Sequence, residues 1–223
     1  MASGLGRPRA SGPSTSGLTT EQDIMLAAAR LFCEVGYGST STYAIARAAG
    51  ISQASMYHYF AGKHQILLAL LMETVRPSVD VAAGLVERTE EPAARLWALC
   101  AYDTTLLVSG DDNLGSLYLL PELGDERFAD FHRERQKLFE VYRRLVAECT
   151  GASADEAHAT ASLVFGLVES VILRRRTEGP LIGADVAPRI ADAALRIVGL
   201  GDEGVVHAGG VGRAVQTSLG IIL

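Results

Sequence analysis

The stretch "TYAIARAAGISQASMYHYF", residues 42–60, restricts what this chain can fold into more than any other. It reads as two helices joined by a tight turn. Ala46 is small where a second helix would cross the first closely, and Gly50 supplies the positive φ that the turn needs. Met56 is the large apolar side chain dropped into the crossing, with Ile45, Ala49 and Ile51 completing a small core. Ser52 stands where it can cap the second helix. The face left over carries Gln53, Ala54, Ser55, Tyr57 and His58, short or planar side chains suited to bond base edges or phosphates from a helix lying in a major groove. Aromatic residues are only 6% of the chain, so the rings at 57–60 need a division by direction. Phe60 is expected in the core beside Met56, Tyr57 and His58 outward, and Tyr59 at the junction with the next helix.

Helical periodicity continues on both sides. Thr19 or Thr20 starts a first helix, with Glu21, Gln22 and Asp23 in its positive first turn. Ile24, Ala27, Ala28, Leu31, Phe32 and Val35 follow at helical spacing, and Gly36 ends the run. "KHQILLALLMETVR" opens a fourth helix at Lys63, with Pro77 marking a kink or break. Further helical runs fall near 92–108, 125–149, 153–176 and 186–199. No segment alternates with a period of two, so the fold class expected is all-α. Residues 1–18, rich in Gly, Ser and Pro, read as a disordered arm whose Arg7 and Arg9 have the chemistry to reach a minor groove. Residues 19–66 form the helix-turn-helix unit and 67–200 the helical body. The glycine-rich 201–223 reads as a flexible tail.

A formal net charge of −6 conceals an asymmetry. Residues 1–76 hold six Lys/Arg against four Asp/Glu, while the remainder holds 14 against 22. A mildly basic first unit on an acidic body is compatible with DNA contact through that unit. Cys33, Cys100 and Cys149 are odd in number, far apart and within apolar helical patterns, which points to reduced, buried thiols. The sequence shows no run of 18–20 apolar residues and no signal-peptide pattern in its first residues, so a soluble, cytoplasmic protein without membrane contact is expected. His132, His158 and the cysteines lack a nucleophile–base pairing, a metal-ligand spacing or a phosphate loop. No enzyme, cofactor or metal site is therefore expected.

The segments "AAARLFCEVGY", "TSTYAIARAAGISQASMYHYF" and "GKHQILLAL" together resemble the TetR/AcrR-type bacterial transcriptional regulators over about residues 21–71. That resemblance implies an N-terminal three-helix DNA-binding domain and a C-terminal helical domain for effector binding and dimerisation. It implies a ligand-responsive regulator, a repressor in the usual case, bound as a homodimer to a palindromic operator. The third helix would be the recognition helix, with Gln53, Ala54 and Ser55 facing bases and Tyr57 and His58 beside them. Thr40 or Thr42, and Lys63, resemble flanking phosphate clamps. The helices near 153–176 and 186–199 would form a four-helix bundle with those of a second copy.

In the body, Asp103 interrupts an apolar stripe of Leu96, Leu99, Cys100, Leu106 and Leu107. Arg135 interrupts another, of Phe128, Phe131, Leu138, Tyr142 and Leu145. A charge on an apolar face can mark a pocket wall, because a buried charge must be paired or bind something. Trp97, Cys100, Asp103, Tyr118, Phe131, Arg135, Tyr142 and Phe165 are accordingly the candidate lining of an effector pocket. The trio Arg174–Arg175–Arg176 reads as a helix C-terminus facing solvent. Control by a protein partner or by cysteine oxidation, without a small-molecule effector, is the alternative.

Overall fold

The computed structural model describes residues 17–179, 182–183 and 185–220. The expectations for Arg7 and Arg9 lie outside the described residues. Helix α1 (Thr20–Glu34) starts at a reciprocal cap: the Gln22 amide donates to Thr19 Oγ1 at 3.2 Å and the Thr19 amide to Gln22 Oε1 at 2.9 Å. Its Ile24, Ala28, Ala29 and Phe32 are buried. They meet α2 (Thr42–Ala48), the single-turn α3 (Gln53–Met56) and the first half of α4 (Lys63–Val86).

Helix α4 runs through Pro77 without ending there. It packs against α1 at one end and against α5 (Pro92–Val108) and α6 (Ala129–Thr150) at the other. The division near residue 66 thus falls inside one continuous helix, and a single apolar core spans both parts. Short 3-10 segments cover Leu114–Leu119, Pro121–Gly124 and Glu126–Phe128. Then come α6, α7 (Ala154–Glu178), α8 (Val186–Ile197) and α9 (Asp202–Ser218). Among the described residues there is no strand. Helix α5 is the axis of the body, wrapped by α4, α6, α7, α8 and α9.

Two expectations need correction. Residues 201–223 are not a flexible tail over their described part. They form α9, which buries Val205, Ala208, Gly209, Gly212, Val215 and Gln216 against α5. The glycines are the reason. A Cβ at Gly212 would stand 2.7 Å from the Trp97 ring and 3.0 Å from the Ala94 carbonyl oxygen, and one at Gly209 3.2 Å from Trp97 Nε1. The two glycines, three apart, share a helix face flat enough for the indole. Gln216 Nε2 then donates to the Ala98 carbonyl at 2.9 Å.

Secondly, the arginine trio is not a solvated end. Arg174 pairs with Glu178. Arg175 turns inward and donates to the carbonyls of Leu107, Ser109, Gly110 and Asp112 at 2.7–3.3 Å. It satisfies acceptors left free where α5 ends. Helix α7 over Asp155–Glu178 is the one candidate among the described residues that passes a length-and-composition test for a membrane span, as core helices also do. One side of it (Ala157, Ala161, Val164, Phe165, Val168, Val171, Ile172) is buried in the core, while Leu163 and Leu173 are 65% and 56% exposed.

Candidate nucleic-acid interface and ligand cavity

The turn between α2 and α3 is set by Gly50 at φ +69°, a conformation that strains any residue with a Cβ. Both helices begin at serine caps: Ser41 Oγ accepts from the Ala44 amide at 3.1 Å, Ser52 Oγ from the Ser55 amide at 3.0 Å. Ile45, Ala46, Ile51 and Met56 close the crossing from within. After Met56 the chain continues as a tight turn, and the amides of Tyr59 and Phe60 both donate to the Met56 carbonyl at 3.0 Å. Phe60 is buried at 6%, whereas Tyr57 and Tyr59 are 48% and 43% exposed and His58 is exposed as well.

Three of the candidate DNA contacts form one hydrogen-bonded cluster on the outer surface. Gln53 Nε2 donates to Thr42 Oγ1 at 2.8 Å, and Thr42 Oγ1 lies 3.2 Å from the Tyr57 hydroxyl. The cluster joins the start of α2 to the start of α3, with Ala54 exposed and Ser55 half-buried beside it. Tyr43, 61% exposed next to Thr42, belongs to the same surface. It was missed, although an aromatic one residue inside a helix start in so ring-poor a chain was a usable signal.

Thr40 and Lys63 behave differently. Thr40 is 3% exposed, and its hydroxyl donates inward to the Gly36 carbonyl at 2.8 Å. It stabilises the α1–α2 loop and has no hydroxyl hydrogen left for a phosphate. Lys63 Nζ donates to the carbonyls of Tyr37 at 2.8 Å, Thr40 at 3.1 Å and Gly38 at 3.4 Å, and lies 4.3 Å from the Tyr37 ring centroid. Its donors hold the same loop rather than reaching outward, adding to the loop's own Thr40 amide to Tyr37 carbonyl bond at 3.3 Å.

In the body, Asp103 of α5 is 4% exposed and accepts from the Tyr142 hydroxyl of α6 at 2.6 Å through Oδ2. Its other oxygen, Oδ1, has no partner. Burial pushes the carboxyl up to about 7, the Ser78 and Tyr142 hydroxyls draw it back, and Glu169 pushes it further up. Asp103 lines a small cavity of about 20 Å³ together with Thr74, Ser78, Tyr118, Arg135, Phe165 and Glu169. Tyr118 donates to Thr74 Oγ1 at 2.7 Å and its ring meets Phe131 at 5.2 Å. Arg135 of α6 pairs with Glu169 of α7 at 2.6 Å, its guanidinium 5.0 Å from the Phe165 ring centroid. Cys100 is fully buried, and burial followed by the Asp103 charge raises its thiol well above the ordinary value.

Four of the eight candidate pocket residues, Asp103, Tyr118, Arg135 and Phe165, line this cavity, with Tyr142 and Cys100 beside Asp103 and Phe131 against Tyr118. Trp97 does not. Its indole faces α8 and α9, where Nε1 donates to Asp192 Oδ1 at 2.7 Å and Arg213 stacks at 5.1 Å from the ring centroid. Ser78, Thr74 and Glu169 were missed. Glu169 is a lone charge within a long apolar run, and that was the signal available.

The N-terminal geometry can now be set beside known proteins. Residues 24–70 match the model of the bacterial regulatory proteins of the tetR family. Over 94% of this chain and 99% of the other, the fold superposes on the crystal structure of Mycobacterium smegmatis AmtR with a TM-score of 0.81 and 40% identity. The chain belongs to the tetR family. Among curated relatives, this tetR-family chain is 35% identical over 82 residues to the HTH-type transcriptional regulator HbdR of Aromatoleum sp. (strain CIB). That match covers 35% of this chain, which spans only 36% of HbdR's length. The AibR structure in complex with isovaleryl coenzyme A and operator DNA shares the fold, with a TM-score of 0.63 and 22% identity over 79% of this chain and 96% of that one.

Proposed function

We propose that this chain is a ligand-responsive transcriptional repressor that binds a palindromic DNA operator as a homodimer. The observation carrying this reading is the exposed Thr42–Gln53–Tyr57 cluster, held on two capped helices by a glycine turn and flanked by Tyr43 and His58. Its groups are half-buried to exposed at the outer surface, so its hydrogen bonds can be traded for base edges and phosphates. AibR, which shares the fold, was solved on operator DNA. Two copies would join through the exposed side of α7, where Leu163 and Leu173 flank Gly166, and through Ile197 of α8, 39% exposed. An isologous pairing of these helices places two α3 surfaces on one side, and they must sit about 34–36 Å apart to enter successive major grooves. An effector in the Asp103 cavity that favours another spacing then lowers operator affinity through its differential affinity for the two states.

A second reading, control by a protein partner without a small-molecule effector, is favoured by the narrowness of that cavity, about the size of one water. Cysteine oxidation is disfavoured: burial pushes Cys33 up to about 11 and Cys149 up to about 12, away from the thiolate that oxidants attack. The deciding experiment selects bound duplexes from a random pool. Light scattering should give a dimer, the recovered sequences should be palindromic, and the affinity should fall steeply with salt. Recovery of no preferred sequence would count against the reading.

A further inference from the structure

We infer that the Asp103 cavity, once Arg135 swings aside and joins it to the cleft outside, takes the N–H-bearing head of a small cation, of the alkylammonium or amidinium class, rather than the carboxylate of an acidic effector. This rests on the proposed effector site and names what that site selects. The carrying observation is one oxygen. Asp103 lines the cavity, and its buried Oδ1 has no partner in hydrogen-bond geometry although the Ser78 hydroxyl stands near the carboxyl, while Oδ2 is already served by Tyr142. A buried acceptor left open costs free energy that a donor in the cavity recovers.

The other groups around the cavity agree. The Tyr118 hydroxyl has given its hydrogen to Thr74, and the Thr74 hydroxyl has given its own to the Leu71 carbonyl. Tyr118 thus offers an oxygen lone pair to an incoming donor. The charged groups are Asp103 and Glu169 against Arg135, and Arg135 is already paired with Glu169. A carboxylate would face two acids and one occupied arginine, whereas a cation meets an unanswered one. The aromatic faces of Tyr118 and Phe165 complete a wall suited to a cation.

An entry route is present. Two open clefts of about 390 Å³ each flank the Arg135–Glu169 pair, and both include Gly166 of the α7 side proposed above to meet a second copy, so this route is open in the single chain. The buried cavity shares Arg135 and Glu169 with both clefts. The ion pair therefore stands between these clefts and Asp103. Swinging Arg135 aside would join a cleft to the cavity and leave Glu169 as a second carboxylate for the entering cation.

The affinity should also depend on pH in a defined way. Around Asp103 stand Cys100 and Tyr102 on its own helix, Ser78 and Thr74 on α4, Tyr142 and Arg135 on α6, Glu169 on α7, and Tyr118. Burial raises the pKa values of Cys100, Tyr102, Tyr142 and Tyr118 from their ordinary values, so these groups stay neutral near pH 7. The Asp103 carboxyl itself loses its proton near 7, so cation binding should strengthen from pH 6 to pH 8.

The test uses the full chain without DNA, following thermal unfolding at constant ionic strength. The probes are n-propylammonium chloride, acetamidinium chloride and sodium propionate. At least one of the cations should raise the midpoint saturably and propionate should not. Asp103→Asn should weaken the cation's half-saturation by about tenfold or more, the size of a lost charge-assisted hydrogen bond. Glu169→Gln, which leaves Asp103 in place, should weaken it less. A saturable shift with propionate alone, cation binding unchanged in Asp103→Asn, or no saturable shift with either cation overturns the inference. Operator release by an anionic effector in the Asp103→Asn chain would leave the regulator reading standing and remove this ligand class. Asp103-dependent cation binding in a chain that binds no operator would do the reverse.

Discussion

The molecule carries two polar clusters of similar make-up, one on its surface and one in its core. Thr42, Gln53 and Tyr57 share hydrogen bonds at the outer side of α2 and α3. Asp103 and Tyr142 share one at the centre of the body, with Ser78 beside them. The first lies at the surface among half-buried to exposed groups, so water can take up a lost partner and the cluster adds little stability. In the second, water is excluded and one missing partner is felt in full. The same chemistry therefore makes an adaptable contact surface in one place and a demanding, selective site in the other.

The largest effect belongs to the buried cluster. The Asp103 carboxyl titrates near 7 in the folded chain against 3.8 ordinarily. Between those values the unfolded chain ionises this residue while the folded one keeps the proton, so its contribution to stability falls as pH rises and levels off above 7. Asp103→Asn should remove that slope. The variant's stability relative to the parent should rise between pH 4 and pH 8 by at most about 4 kcal/mol, read from urea unfolding at several pH values. A pH-independent difference would place the carboxyl in a far wetter setting than the one described.

Lys63 sharpens the contrast, since it belongs to the N-terminal unit yet acts as an interior tie. Lys63→Ala should cost about 2 kcal/mol or more in unfolding experiments, because three loop carbonyls lose a charged donor together. An effect below about 0.5 kcal/mol would return Lys63 to the surface class. Next comes Gly212→Ala, expected to cost about 1–3 kcal/mol by overpacking and to shift the emission of Trp97, the chain's one tryptophan. The smallest effect is at the surface cluster: Gln53→Ala and Tyr57→Ala should each change stability by only about 0.5 kcal/mol.

These cases also show what was legible before the structure. The α2–α3 crossing was, because Ala46, Gly50, Ser52 and Met56 act through local geometry within eleven residues. So were Asp103 and Arg135, since a charge within an apolar stripe is visible in one helix alone. Their partners were not: Tyr142 lies 39 positions from Asp103, and Glu169 34 from Arg135. Only packing reveals such pairs. Lys63 resembled a phosphate clamp by the family likeness alone, and nothing local shows that it folds back 26 residues to Tyr37. Trp97 and α9 were misread together. Glycines that look like a flexible tail in isolation are the surface that an indole needs, and the indole that looked like a pocket wall is what they receive.

The most direct measurement is fluorescence anisotropy of the full chain on the palindromic duplex recovered by selection, beside a scrambled duplex of equal length. With Gln53 and Tyr57 both replaced by alanine, the stable, folded variant should lose its preference for the palindrome by about tenfold or more and keep its salt-dependent binding to the scrambled duplex. An undiminished preference for the palindrome in that variant would contradict the assignment of the α2–α3 surface as the reader of DNA.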